Sequence, residues 1–530
     1  VRRWNGWGDD TIQSTLNGAA LQFLQERVGE TTSPDDASLE ATVASVPTSR
    51  LPTHPRWSTD AEVRVRASFG QSLPDWLRLR FGKLGRVVDA VAYAESGDDV
   101  REVLDLALQH RAIVIPYAGG TSVVGHLTPP QTDQPVISLN LSRLNRLLHL
   151  DHTAQLATFQ AGVAGPDLEA QLRAQGYTLG HFPQSFEYST LGGWIVTRSS
   201  GQQSLRYGRI EQLFAGGRVE TPAGRLMIPT FPASSAGPDL RELVMGSEGR
   251  FGVLTEATVR VTPLPEFEQF HAVFFPSWAQ AETAVRTLVQ SRLPLSMLRL
   301  SNEVETLTSL TLAGHPRLIG MLEKYLGVRG IKGAKCLLLF GVTGHAATCR
   351  GALHAARDIV KQFGGVAVGK AFGEKWKANR FRSVYLRNTL WEHGYCADTV
   401  ETACDWPKVE TMMRRVEAAA VEALAKFGER VHAYTHLSHT YPQGSSVYTT
   451  FVFRRAASFE ENYARWQAMK QAVCETMGQL GGTISHQHGV GKDHAPYLAA
   501  EKGPLGMDAL MAIVRQLDPD GIMNSGNLGL

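Results

Sequence analysis

Residues 116–127 read Pro116-Tyr117-Ala118-Gly119-Gly120-Thr121-Ser122-Val123-Val124-Gly125-His126-Leu127. The run Ala112-Ile113-Val114-Ile115 ahead of them is short and apolar and reads as a buried strand. Val100, Val103, Leu104, Ala107 and Leu108, behind cap candidates Asp98 and Asp99, read as the preceding helix. Glycines at a strand end let backbone N–H groups approach an anion, and the Thr121 and Ser122 hydroxyls add donors for phosphate oxygens. No Gly-Lys-Ser/Thr follows, so this is not a P-loop, and the spacing is not the Rossmann fingerprint. Alone, the loop could equally be a structural turn.

Two further patches decide the matter. One is His181-Phe182-Pro183-Gln184-Ser185-Phe186-Glu187-Tyr188-Ser189-Thr190-Leu191-Gly192-Gly193-Trp194, with Thr197-Arg198-Ser199-Ser200-Gly201 after it. The other is Gly246-Ser247-Glu248-Gly249-Arg250-Phe251-Gly252-Val253-Leu254, leading into an alternating strand over 255–262. A turn needs one glycine, whereas each patch offers a run of bare backbone and small hydroxyls. A large flat cofactor with a pyrophosphate needs such contact at several points along its length, and FAD fits that requirement.

The totals narrow the class. The 530 residues have room for two or three domains, with 43% hydrophobic and 20% charged side chains. Lys and Arg number 53 against 51 Asp and Glu, so no global charge points to nucleic acid. Cys336, Cys349, Cys396, Cys404 and Cys474 have no C-x-x-C spacing, which fits buried thiols rather than a disulfide framework or zinc ribbon. Neither an apolar leader in the opening residues nor a peroxisomal Ser-Lys-Leu address at the end is seen, so the expected location is cytoplasmic.

Along the chain, residues 9–28 predict an amphipathic helix capped by Asp9 or Asp10, and 30–60 an extended connection. Strands are expected at 86–93, 111–116, 135–139 and 155–161, with a helix at 166–175. Beyond Pro263 and Pro265, strands at 268–275, 295–300, 335–342 and 365–368 alternate with helices at 277–291 and 345–363. That β-α-β-β-α-β order predicts a ferredoxin-like sheet with an insertion at 302–334. A helix at 407–427, a strand at 446–453 and a helix at 458–479 follow. The fold class is α+β, divided into a helical segment (1–85), an FAD-binding domain (86–265), a substrate or cap domain (266–455) and a C-terminal helical segment (456–530).

The three patches together resemble the two-subdomain FAD-binding domain of the vanillyl-alcohol-oxidase/p-cresol-methylhydroxylase (PCMH) superfamily. With the opening Arg3-Trp4-Asn5-Gly6-Trp7-Gly8 and the closing Ser485-His486-Gln487-His488-Gly489-Val490-Gly491-Lys492, the whole chain is similar to the alkyldihydroxyacetonephosphate synthase family of ether-lipid enzymes. The resemblance implies non-covalent FAD. Its pyrophosphate would lie against residues 117–123 and 197–200, and its flavin and adenine against 184–190 and 248–254. His126 stands where the family has a small or apolar residue and is a candidate covalent flavin ligand.

The implied activity is that of an alkyl transferase: the acyl chain of acyl-dihydroxyacetone phosphate is replaced by a long-chain fatty alcohol with no net oxidation. A base takes a proton from C1, and the substrate is held on flavin N5 while the acid leaves. Tyr448 matches the family's catalytic tyrosine. A free phenol has a pKa of about 10, so nearby cations are expected to lower it; the plainer alternative is a tyrosine that only packs. Arg299 and Arg387 match active-site arginines, one as phosphate clamp and one orienting the tyrosine, against the alternative of an internal salt bridge. His486, Gln487 and His488 match three consecutive family histidines acting as donors, with a metal site as the rival; no metal is expected. Gln487 cannot titrate, Ala118 replaces a usual glycine, and Asn388 replaces an acid after Arg387. The alternative function is an FAD-dependent D-2-hydroxy-acid dehydrogenase, whose metal-binding histidine pattern is not matched by His436-Leu437-Ser438-His439-Thr440-Tyr441-Pro442-Gln443-Gly444. A homodimer is expected from the resemblance. Peripheral membrane contact is expected through the insertion, near Leu318, Ile319, Met321 and Leu322.

Overall fold

The structure is a computed structural model that describes residues 1–530. Helix Gly97–His110 begins with a capping box in which Ser96 is the cap and Asp99 reaches back to it, so Asp99 supports the cap rather than being it. Its buried face, Val100, Val103, Leu104 and Ala107, lies on a four-stranded sheet of order Trp57–Ser58, Ala90–Tyr93, Val136–Asn140, Ile113–Tyr117. The last three strands are parallel. The glycine loop therefore leaves the carboxyl end of a parallel strand, where open α/β sheets bind their ligands.

A second, five-stranded sheet is antiparallel, in the order Leu147–Asp151, Leu156–Gln160, Val253–Arg260, Phe214–Thr221, Gly224–Ile228. Strand Phe214–Thr221 escapes the hydrophobic pattern because Glu220 is buried within it. That carboxylate is met by Arg101, Arg218 and Arg225.

The third sheet has seven strands. Val366–Ala367, Phe267–Phe275, Cys336–Gly344 and Met297–Ser301 lie in the order expected of the ferredoxin-like unit, all antiparallel. Val431–Leu437, Gly444–Arg454 and Tyr395–Asp405 extend it. The insertion forms two helices, Glu303–Leu312 and Pro316–Val328.

The expected helix over 9–28 is confined to Gly18–Val28, capped by Asn17. Asp9 instead accepts the N–H and hydroxyl of Thr11, while Asn388 binds both the N–H and the carbonyl of buried Trp7. The opening stretch is thus pinned across the molecule, and the departure at Asn388 has a job that a carboxylate could not do, since an ionised acid cannot donate. A short helix, Leu39–Ala44, interrupts the expected extended connection. The C-terminal residues return to the first sheet, where Val114 pairs with Met523 and Arg250 meets Asp518. No helix is long and apolar enough to cross a membrane.

Candidate active site

The three sheets enclose one long cavity of about 610 Å³. Residues 116–123 line it, as do Gln184, Ser185, Ser189, Thr190, Gly192, Gly193, Thr197, Ser199, Glu248, Gly249, Gly252, Val253 and Leu254. The opposite wall carries Arg299, Arg387, Tyr448, Gln487 and His488. Four other sequence candidates do not line it. Tyr188 is turned to Trp7 and Tyr385. Arg198 is spent on Glu242 and the Met245 carbonyl, Ser200 on His439, and His486 lies behind the wall.

The cradle fits a flat cofactor with a phosphate. A Cβ on Gly119 would sit 2.2 Å from the Tyr188 carbonyl oxygen, and Gly120 has φ of +60°. The loop is thus bare backbone by steric necessity on one side and open to the cavity on the other. Ala118 packs against the core of the first sheet, which explains why the alanine is accommodated. Gly119→Ala is expected to abolish FAD retention, read as loss of the flavin absorbance relative to protein in the purified variant; a normal flavin ratio would remove the loop from the cradle. His126 also lines the cavity; its Nδ1 lies 2.6 Å from the Ser122 hydroxyl and its Nε2 2.9 Å from Glu248. The same Glu248 carboxylate accepts the N–H groups of Val490 and Gly491, fastening the third patch to the C-terminal loop.

At the other end, Tyr448 stands on strand Gly444–Arg454 with the His436 ring stacked on it at 4.6 Å and His488 edge-on at 5.7 Å. The expected lowering of the phenol is overturned. Burial pushes it up to about 12; the Thr399 hydroxyl and Arg299 pull down, but Glu401 and Asp398 add to the rise.

The two arginines differ. Arg299 donates 2.6 Å to Glu305, and its terminal nitrogens lie 3.1 Å from both nitrogens of His436. Burial works against the charge on Glu305, but the His436 ring and the Arg299 guanidinium override it and hold the carboxyl at about 2. Arg387 has no such partner. It lies 4.2 Å over the Trp76 ring and donates to the Gln71 carbonyl, and its buried Nη2 has no acceptor. Burial pulls its pKa down. A buried guanidinium without a carboxylate is a cation awaiting an anion.

Gln487 donates to Glu401 and accepts from the Ser200 N–H. Glu401, His439 and His486 place potential metal ligands within 4.8 Å of one another. The donor set suits hydrogen bonding better than a cation, because Arg209 points a guanidinium nitrogen at His486 Nε2 from 2.8 Å. That leaves the imidazole proton on Nδ1, facing Glu401 at 3.3 Å. Sequence reading missed Glu305, Asp398 and Glu401 altogether; the available signal was charge inside otherwise apolar strands and beside the Asn302 cap.

Two family models match the chain: "FAD binding domain" over residues 88–228 and "FAD linked oxidases, C-terminal domain" over 264–528. An alkyldihydroxyacetonephosphate synthase from Trypanosoma brucei brucei is 33% identical over 478 residues, 88% of this chain and 78% of that one. This chain belongs to that family. The Dictyostelium discoideum synthase is 30% identical with the same coverage. A solved alkyldihydroxyacetonephosphate synthase structure superposes with a TM-score of 0.85 at 26% identity, over 99% of this chain and 98% of that one. Both family models are of FAD domains, which makes FAD this chain's cofactor.

Proposed function

We propose that this enzyme exchanges the acyl chain of acyl-dihydroxyacetone phosphate for a long-chain fatty alcohol, forming an ether bond without net redox change. The observation that carries the reading is Arg387: a buried, carboxylate-free guanidinium that shares one cavity with Tyr448 and the flavin cradle. It is suited to grip the substrate phosphate by charge-assisted hydrogen bonds. When bound non-covalently, the oxidised flavin would supply an electron-accepting ring nitrogen, complementary to the electron pair left at C1 when its proton is removed. Tyr448 holds or moves the C1 proton at its phenolic oxygen. His488 and the Gln487 amide flank the position from which the carboxylate leaves, and burial keeps His488 neutral by lowering its pKa. Leu312, Leu386, Leu390 and Tyr434 also line the cavity and offer apolar surface to the chains.

The test is incubation of purified FAD-loaded protein with acyl-dihydroxyacetone phosphate and hexadecanol, followed by mass spectrometry. The ether product is expected; conversion of a D-2-hydroxy acid instead, with the lipid untouched, would replace this reading by the dehydrogenase.

Helix Pro316–Val328 supports delivery from a lipid surface. It exposes Leu318 (63%) and Met321 (66%) beside Arg317, Lys324 and Arg329, while Leu326 anchors it to the core. Burying such side chains contributes about 1.5–3 kcal/mol each. Leu318→Glu with Met321→Glu is expected to cut recovery on anionic phospholipid vesicles by about tenfold or more, with flavin retained. Undiminished recovery would leave the helix without this role.

A further inference from the structure

The end of the cavity that holds Tyr448 is electrically balanced. Arg299, Arg387 and Lys470 stand against Glu305, Asp398 and Glu401, all at or just behind the wall. A phosphate monoester brings nearly two negative charges at neutral pH. Placing them in a neutral, largely water-excluded site costs more than placing one, so the site is poised to take up a compensating cation, and a proton is the smallest.

We propose that a phosphate dianion seated beside Arg387 and Arg299 draws one proton from solvent onto His436, whose imidazolium Glu305 then holds against the face of Tyr448. This rests on the phosphate-substrate reading above. His436 is the acceptor the geometry favours. It lines the cavity, its Nδ1 lies 3.1 Å from both oxygens of Glu305, and its ring is 16° from parallel with the phenol. His488 also lines the cavity but has no carboxylate within bonding reach, and its Nδ1 has no partner. His439 is held by the Ser200 and Ser204 hydroxyls outside the cavity.

The groups facing His436 come from four elements. They are Arg299 on Met297–Ser301, Glu305 on Glu303–Leu312, Glu401 on Tyr395–Asp405 and Tyr448 on Gly444–Arg454. In the free enzyme burial and then Arg299 keep the imidazole neutral against the pull of Glu305 and Glu401. An anion drawing on Arg299 reverses that balance. The imidazolium then offsets Glu401 and Asp398 at the phenol, which makes the tyrosine usable as a base. His436 is thus a positioning residue acting through Tyr448.

The sign of the linkage follows. Protonation accompanies binding, so affinity for the phosphate dianion falls as pH rises above about 6, through the range where free His436 is neutral. The experiment is calorimetric titration of the FAD-loaded enzyme with dihydroxyacetone phosphate at about pH 8, where the ligand is already a dianion. It is run in two buffers of different ionisation enthalpy. Wild type is expected to take up about one proton per phosphate bound. His436→Gln and Glu305→Gln, each checked for a normal flavin spectrum, are expected to bind about tenfold more weakly and to take up almost none. Binding by wild type with no buffer dependence overturns the coupling alone, as does unchanged uptake by His436→Gln. Absence of any binding by wild type overturns the phosphate reading and the coupling with it.

Discussion

Arg387→Met is expected to keep its flavin spectrum and lose about two orders of magnitude in kcat/KM for acyl-dihydroxyacetone phosphate. A charge-assisted hydrogen bond to a buried phosphate is worth roughly 2–5 kcal/mol when its donor is removed, and about 1.4 kcal/mol is a tenfold change. Methionine fills most of the volume beside Trp76, so the loss reports the charge rather than a cavity. Arg299 does not replace the lost charge in full, since its guanidinium is shared with Glu305 and His436. The contrast is the check. Arg299→Met should disturb the pH dependence of turnover through His436, whereas Arg387→Met should weaken phosphate binding at every pH. A wild-type kcat/KM for Arg387→Met would show that the unpaired guanidinium serves only packing.

Tyr448→Phe is expected to bind FAD and phosphate normally and to lose about 10²–10⁴-fold in turnover, the usual contribution of a positioned acid or base. The ring stays stacked on His436, so folding is little affected. Only the phenolic oxygen is removed, from a place where burial leaves it with no charge of its own at neutral pH. Turnover within a factor of a few of wild type would take the tyrosine out of proton handling.

Much of the frame was legible in the sequence because it follows simple rules. The ferredoxin-like order appeared as apolar strands alternating with amphipathic helices. The glycine patches stood out because bare backbone next to a strand end has few other uses, and the folded chain lines one cavity with most of their residues. What stayed hidden shares one cause. Strands Tyr395–Asp405 and Val431–Leu437 carry Asp398, Glu401, His432 and His436 turned inward, which breaks the apolar alternation that identifies a strand. With those strands unread, the carboxylates beside Tyr448 were uncounted, and the phenol was expected to fall when burial, Glu401 and Asp398 raise it. The helix expected over 9–28 failed differently: Asp9 and Asp10 looked like caps, but Asp9 accepts from Thr11 in a turn and the helix starts only at Gly18, behind Asn17.

The central claim is exchange of one chain for another with no electrons passed on. The measurement that tests it most directly is anaerobic stoichiometry on the FAD-loaded enzyme, given acyl-dihydroxyacetone phosphate and fatty alcohol with no electron acceptor. The account predicts repeated turnover, with one fatty acid released for each ether formed and the flavin oxidised again at the end. A single turnover that leaves the flavin reduced, resumed only when an acceptor is added, would contradict it and make the enzyme an oxidoreductase.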